Sequence, residues 1–123
     1  MPVAHVLALF NGSAAGERAL ADATDAAREA DAELTVLVLA AIEEPSRCCN
    51  LQTTSWNREM RQLAREELER ARQLVADDVR ASFVVREGRG HAAVVAAATQ
   101  LGCDVLVEPG SRWRAPRRSS FRA

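Results

Sequence analysis

The chain has 123 residues, of which 48% are hydrophobic and 27% charged, a composition typical of one globular domain. Its net charge is −1 and all of its cationic side chains are Arg, which excludes mechanisms that need a lysine, such as a Schiff base or the P-loop ammonium. No apolar run approaches the roughly 18 residues of a membrane helix, the N-terminus lacks a signal-like pattern, and the cysteines form no disulfide pattern. We therefore expect a cytoplasmic protein that contacts no membrane.

The first predicted element is a strand at Val3–Phe10, a nearly continuous apolar run that closes on the turn Asn11–Ser13. Such a run predicts a strand that is buried on both faces. An Ala-rich helix is expected over Ala14–Ala30, with Ser13 as its N-cap. A second apolar run, Leu34–Ala41, completes a strand–helix–strand unit whose crossover should be right-handed.

The middle of the chain predicts a long loop and the longest helix. The loop is Ile42–Ser55 and contains Cys48 and Cys49. Ser55 is the expected N-cap of a helix over Trp56–Asp78, in which apolar residues recur at helical spacing and Glu and Arg fill a solvated face.

Two further strands and one helix follow. Ala81–Arg86 is short with polar ends, which predicts an edge strand, and His91–Leu101 predicts a helix that ends at Gly102. Cys103–Glu108 predicts the fourth strand. After it, the segment Ser111–Ala123 carries five Arg and no acid and shows no clear period.

Alternating strands and helices predict an open parallel sheet with helices on both faces, in Rossmann-like strand order 3-2-1-4. The domain should span residues 1–111 and be followed by a basic tail at 112–123. If the sheet grows in both directions from the first strand, the Asn11–Ser13 turn lies at a topological switch point, where open α/β sheets bind ligands.

Several segments together resemble the universal stress protein family. His5–Ser13 and the helix after it are similar to the family's opening, which is an apolar strand, an Asp-Gly-Ser-like turn and a helix. The remaining similar segments are Ala32–Val38, Val85–Gly88, Leu101–Val107 and Gly110–Arg112, in the family's order. The resemblance covers about residues 3–113. It implies an adenine nucleotide alpha hydrolase-like fold with strand order 3-2-1-4-5, a homodimer, and ATP or AMP as the ligand of many members.

The resemblance also implies a nucleotide site at the carboxyl ends of the first and fourth strands. Asn11 matches an adenine-side Asp, Leu39 matches an apolar adenine contact, and Gly110 matches the first glycine of a phosphate loop, Gly-x2-Gly-x9-Gly-Ser/Thr. The candidate nucleotide-binding residues are Leu9, Asn11, Leu39, Pro109, Gly110, Ser111 and Arg112.

The chain departs from this family pattern in the parts that would hold phosphate. Trp113 stands at the second glycine and Ala123 at the third, and Asn11 keeps hydrogen-bonding capacity but lacks the charge of an Asp. Glycine in a phosphate loop lets backbone N–H groups approach the phosphates, so Trp113 should crowd them out. The family's fifth strand, which often builds its dimer, has no recognisable counterpart, so we expect weak or altered dimerisation.

Other chemistry-bearing residues form no recognisable site. His5 is expected to be a satisfied core or edge histidine and His91 a surface residue, and with the three cysteines they lack the spacing of metal ligands. Gly88–Gly90 is interpreted as a turn. No catalytic residue and no metal site is predicted.

Three functions remain open. The favoured one is a non-enzymatic stress-response protein in which nucleotide binding is weak or lost and which acts through partners. The first alternative is an ATP- or AMP-binding protein with slow hydrolysis not excluded, and a glycine at position 113 would have favoured it. The second alternative is an interaction module whose basic tail binds an acidic partner, with nucleic acid disfavoured by the net charge; such binding must depend on salt.

Overall fold

The computed structural model describes residues 4–43 and 50–114, with only the backbone described for 50–52 and 111–114. Cys48, Cys49 and residues 115–123 of the expected tail lie outside the described part of the chain. The elements are β1 (His5–Leu9), α1 (Ala14–Ala30), β2 (Glu33–Ala40), α2 (Asn50–Leu74), β3 (Ala81–Glu87), α3 (Gly90–Leu101), β4 (Val105–Glu108) and β5 (Ser111–Arg114).

The strands form one sheet in the order β3-β2-β1-β4-β5, in which the first four are mutually parallel. β1 is central because Val6 pairs with Leu34 of β2 on one side and Leu7 pairs with Leu106 of β4 on the other. The predicted sheet, the central position of the first strand and the edge position of the third strand are thus confirmed.

Helices cover both faces of the sheet. Val6 and Ala8 pack with α1 and α2, whereas Leu7 packs with Val94 and its neighbours on α3. All three of these β1 side chains are fully buried. Burial on both faces explains why β1 is a continuous apolar run rather than an alternating one.

The first helix has the predicted bounds because both ends are capped. The Ser13 hydroxyl accepts a hydrogen bond from the Gly16 N–H at the N-terminus. At the C-terminus Asp31 adopts the left-handed conformation, with φ +53°, and its N–H reaches the last carbonyls. Between the caps, a face of small residues lies against the sheet, with Ala19 and Ala23 buried.

The predicted start of the second helix at Trp56, with Ser55 as its cap, is wrong. The helix begins at Asn50, and Ser55 lies inside it. Residues 50–55 contain no Gly or Pro, so nothing in this segment stops the helix, although its Thr and Ser residues also suit turns. Asn57 joins α2 to the segment that follows β2. Its buried carboxamide accepts a hydrogen bond from the Glu43 N–H at 2.7 Å and donates one to the Glu43 carbonyl at 2.8 Å.

The prediction that no fifth strand follows and that the tail starts at 112 is also wrong. Ser111–Arg114 forms β5, antiparallel to β4, with Ser111 opposite Glu108 and Arg114 opposite Val105. Pro109 and Gly110 connect the two strands, and Gly110 has φ +84°. Proline followed by a residue of positive φ is the type II turn pattern, which reverses the chain instead of merely ending the strand.

Replacing Gly110 with Val should weaken this hairpin, because a β-branched residue at positive φ costs about 1–2 kcal/mol. We expect the thermal midpoint to fall by several degrees in a circular-dichroism melt. Gly110→Asn is the matched control and should lose much less, because Asn tolerates the left-handed region. Equal thermal midpoints for Gly110→Val and the parent would show that the folded protein does not depend on this turn.

Candidate functional site

The candidate site lies at the carboxyl edge of the sheet, where β1 and β4 end side by side. After β1 the chain turns through Asn11–Ser13 into α1, and after β4 it turns through Pro109 and Gly110 into β5. α1 covers one face of the sheet and α3 the other. This is the topological switch point expected from the sequence, and at such points the diverging connections leave a crevice.

A chain of hydrogen bonds organises the turn after β1. Asn11 Oδ1 accepts from the Ser13 N–H at 3.1 Å and from the Ser13 hydroxyl at 2.6 Å, and the same hydroxyl accepts from the Gly16 N–H at 3.0 Å. Within the described residues the Asn11 amide NH₂ makes no hydrogen bond. The exposed side chain therefore keeps its NH₂ donor available, while its acceptor is used inside the turn.

Gly16 allows this network to form, a role that the sequence analysis missed. A Cβ at Gly16 would clash with Asn11 Oδ1 and would lie 3.1 Å from the Asn11 backbone nitrogen. A glycine three residues after an N-cap serine is the only sequence signal for this close approach.

Gly16→Ala should destabilise the protein by about 1 kcal/mol or more, because the clash outweighs the better helix propensity of Ala. Urea denaturation of a double-mutant cycle with Asn11→Ala checks the cause. Gly16→Ala should cost clearly less when Asn11 is already Ala. An equal cost in both backgrounds would contradict the proposed contact.

Leu9 and Leu39 form an apolar patch near the carboxyl ends of β1 and β2. Both are partly buried and pack with the cluster under α3 that includes Leu37 and Val94. Their incomplete burial leaves apolar surface beside the turn after β1. Such a surface suits the flat face of an aromatic ring.

Glu108 brings a carboxylate to the end of β4, next to the Pro109–Gly110 turn. Its side chain is only 13% exposed, and His91 Nδ1 in the first turn of α3 lies 2.9 Å from both carboxylate oxygens. No sequence pattern predicts a role for Glu108, which is simply the last residue of the fourth predicted strand. His91 is exposed, as expected.

A second carboxyl group lies beside the other turn at this edge, the Asn11–Ser13 turn after β1. The Cγ and Cδ atoms of Glu67 on α2 lie 3.6 Å from the position that a Cβ on Gly12 would occupy. Burial raises the pKa of Glu67 above its usual value. Among the described residues Glu67 forms no hydrogen bond or ion pair, so its charge is desolvated without compensation.

Glu67→Gln should therefore stabilise the protein, in a pH-dependent way. When the folded-state pKa of a carboxyl is raised, the native state binds more protons than the unfolded state, and stability falls as pH rises from the unfolded pKa of about 4.3. The thermal midpoint of Glu67→Gln should exceed that of the parent by a degree or two at pH 7 and match it at pH 3. Glu66→Gln, at an exposed position, is the control. A similar rise in its thermal midpoint would show that burial of the Glu67 carboxylate is not the cause. The thermal melts of all three proteins are measured at a few micromolar protein.

Three arginines near this edge hold carboxylates. The described ion pairs there are Arg70–Glu17 at 2.7 Å, Arg89–Glu43 at 2.6 Å and Arg61–Glu87 at 2.7 Å. Each is exposed, so each contributes little to stability. These ion pairs nevertheless neutralise three of the cations near this edge.

The structure brings the predicted residues together only in part. Leu9, Leu39 and Asn11 lie around the end of β1, and Pro109 and Gly110 form the neighbouring turn. Ser111 and Arg112, which were expected to belong to a phosphate loop, pair through their backbone with Glu108 and Val107 in the β4–β5 ladder. The assignment of all seven to nucleotide binding stays a prediction.

The other groups considered from the sequence have structural surroundings. His5 Nε2 is hydrogen-bonded to the Thr35 hydroxyl, in agreement with a satisfied histidine. Burial, aided by the neighbouring Asp104 charge, raises the pKa of the Cys103 thiol to about 12, so it stays protonated. Within residues 4–43 and 50–114, no three His, Cys, Asp or Glu side chains are grouped as metal ligands.

A separate cleft of about 400 Å³ lies at the amino edge of the sheet, far from the candidate residues. Its charged lining is internally paired, since Arg28 Nε lies 2.9 Å from Asp78 and Arg80 donates to the Asp31 carbonyl. None of the helices in the described part is both long and apolar enough to cross a bilayer.

The strand order, with helices on both faces of the sheet, defines a Rossmann-like α/β fold of the adenine nucleotide alpha hydrolase-like type. The sequence profile of the Universal stress protein family matches residues 3–120. The chain thus belongs to the universal stress protein family, as the resemblance of its turn and strands had implied. No curated protein sequence matches it significantly.

Solved structures share the fold at low sequence identity. The universal stress protein UspA from Lactobacillus plantarum is 16% identical, with a TM-score of 0.78 over 96% of this chain and 84% of that one. The hypothetical protein MJ0577 is also 16% identical, with a TM-score of 0.71 over 87% and 74% of the two chains. A universal stress protein described in complex with cAMP is 23% identical, with a TM-score of 0.54 over 86% and 71%.

Proposed function

We propose that this chain is a non-enzymatic stress-response protein of the universal stress type, in which binding of a nucleoside triphosphate is weak or lost and which acts through protein partners. The observation that carries the proposal is the β4–β5 hairpin. It occupies the stretch that the family resemblance assigns to the start of the phosphate loop.

The hairpin argues against a phosphate-binding loop on geometric grounds. A phosphate loop needs several successive backbone N–H groups that turn toward one anion. In an antiparallel ladder the N–H groups of a strand alternate in direction, and those that face the partner strand are hydrogen-bonded to it. Residues 111–114 pair in this way with Val105–Glu108, so they cannot form such a nest without leaving the sheet.

The electrostatics of the edge argue in the same direction. Glu108 lies beside the Pro109–Gly110 turn and Glu67 lies against Gly12, while Arg70 and Arg89 are paired with carboxylates. A triphosphate would meet like charge at both places. Repulsion between like charges at short range costs more as water is excluded.

A second candidate function is binding of an adenine nucleotide with fewer phosphates, such as AMP. A variant of this candidate binds ATP and hydrolyses it slowly. It is supported by the partly exposed apolar side chains of Leu9 and Leu39, which suit the face of an aromatic base, and by the NH₂ donor of Asn11, which suits a ring acceptor. A relative of this fold is described in complex with cAMP, a monophosphate. The third candidate, a basic tail that binds an acidic partner, falls largely on residues outside the described part.

Titration calorimetry with ATP, AMP and inorganic phosphate, at two salt concentrations, tests the proposal. We expect no binding of ATP at micromolar concentrations and no release of phosphate above the blank. Micromolar ATP affinity that is insensitive to salt would overturn the proposal and favour the second candidate. Binding that disappears with salt and after deletion of residues 112–123 would favour the tail.

Two variants test the causes separately. Trp113→Gly removes the residue that stands at the second glycine of the family pattern and should raise nucleotide affinity. Glu108→Gln removes the carboxylate and should strengthen ATP binding about three- to ten-fold relative to AMP, since one like-charge contact is lifted. Glu66→Gln on α2 changes the net charge equally at an exposed remote position and should leave both affinities unchanged. If neither Trp113→Gly nor Glu108→Gln alters binding, the hairpin and the carboxylate do not control it.

A further inference from the structure

The outer edge of β3 has no partner strand within the described part of the chain. β3 lies at one end of the sheet and pairs with β2 along its whole length, from Ala81 to Glu87. Residues 83–85 are each partly exposed, whereas residues 36–38, which lie opposite them in β2, are buried. Solvent therefore reaches this edge of the sheet.

Backbone hydrogen bonds at the two ends of the β2–β3 ladder fix which residues of β3 face outward. The Leu34 N–H donates to the Arg80 carbonyl at 2.8 Å, and the Gly88 N–H donates to the Ala40 carbonyl at 3.0 Å. Because alternate residues of a strand in a parallel ladder bond to the same neighbour, the even-numbered residues of β3 face β2. The backbone N–H and carbonyl groups that point away from the sheet therefore belong to residues 81, 83, 85 and 87.

Arg86 covers one of these outward groups with its own side chain. Its Nη1 donates to the outward-facing Val85 carbonyl at 3.3 Å, and the side chain is exposed. Charged side chains on an edge strand discourage unspecific pairing. A single exposed hydrogen bond contributes only about 1 kcal/mol, so a strand that brings its own donor can replace it.

The charge along this edge favours an acidic partner. Between positions 80 and 87 the charged residues are Arg80, Arg86 and Glu87. Glu87 is paired with Arg61 at 2.7 Å. Arg80 donates to the Asp31 carbonyl, and within the described residues neither Arg80 nor Arg86 is in an ion pair. Two cations beside the edge therefore lack a carboxylate, which an acidic strand would supply.

We propose that the outer edge of β3 is the docking site for an extended, acidic segment of a partner protein, which joins the sheet as a further strand. Backbone hydrogen bonds to residues 83, 85 and 87 supply the affinity, and a carboxylate beside Arg86 supplies the specificity. The inference rests on the proposed function, because it names how a protein partner binds. β3 and β5 lie at opposite ends of the sheet, so docking here leaves the β4–β5 hairpin in place.

Amide hydrogen exchange of the full chain, followed by NMR, tests the docking site directly. In the free protein the N–H groups of residues 83, 85 and 87 should exchange faster than those of Val84 and Arg86, which bond to β2. The probe is a capped peptide about as long as β3 that alternates Thr and Val around a central Glu. At about 1 mM peptide, exchange at residues 83, 85 and 87 should slow about fivefold or more, while exchange at Val84 and Arg86 stays the same.

A proline at position 85 removes one outward donor without disturbing the ladder to β2. Proline is tolerated on an edge strand where its nitrogen faces solvent. Val85→Pro should weaken binding of the fluorescently labelled peptide about fivefold or more in an anisotropy titration, because a hydrogen bond is lost and the ring obstructs the incoming strand. Val85→Ala is the matched control, since it also loses the valine side chain but keeps the N–H, and it should bind within about twofold of the parent.

A charge exchange tests the role of Arg86. Arg86→Glu should weaken binding of the Glu peptide about two- to five-fold and should prefer the same peptide with Arg at its centre. Such a reversal of preference is a result that a simple folding defect cannot produce. Arg18→Glu changes the net charge equally on α1, which packs on β1, β2 and β4, and should leave both affinities unchanged.

The proposal is overturned if the Glu peptide does not bind at about 1 mM, if Val85→Pro binds it as tightly as Val85→Ala, or if Arg86→Glu keeps the parent's preference. Slower exchange at residues 83, 85 and 87 that develops with protein concentration alone would assign the edge to a second copy and also overturn it. A circular-dichroism melt of each variant ensures that folded proteins are compared. The two failures are distinguishable, because micromolar ATP binding overturns the proposed function whatever the peptide does, whereas loss of peptide binding alone removes only this docking site.

Discussion

Burial of β1 on both faces is the constraint on which the rest of the architecture depends. Val6, Leu7 and Ala8 are inaccessible to solvent, so helices must cover both sides of the sheet at this strand. Because β1 is also bounded by β2 and β4, the connections on its two sides must leave toward opposite faces. The switch point at its carboxyl end is therefore a consequence of how the core is covered.

The turn after β1 shows how this edge combines fold and function. Asn11 closes the turn with its acceptor oxygen, and Ser13 caps α1 with the hydroxyl that donates to Asn11. Only a residue without a Cβ fits at Gly16, where the helix approaches the Asn11 side chain. An aspartate at position 11 could make the same acceptor bonds, but only an asparagine adds a donor. The change from the family's Asp therefore preserves the turn and alters what the turn can bind.

Elements whose formation depends on local composition could be predicted from the sequence, and elements that depend on distant pairing could not. The apolar run of β1, the capped helix α1 and the glycine after α3 act within a few residues. Residues Ser111–Arg114 have little apolar character, and they form a strand only because the Pro109–Gly110 turn returns them to β4. The roles of Gly16 and Glu108 likewise arise from contacts with residues that other elements bring near, which no local pattern encodes.

The same hairpin links the two changes that distinguish this chain from a phosphate-binding relative. The backbone after Gly110 pairs with β4 and so provides hydrogen-bond partners for the edge of that strand. The N–H groups of residues 111–114 that face β4 are then used in the sheet and cannot turn toward a phosphate. The Glu108 carboxylate lies beside this turn, where His91 pairs with it, and under the proposed function no phosphate has to fit there. Within the part of the chain that the structure describes, β5 is a four-residue edge strand, and such a short strand offers little length for pairing with another chain.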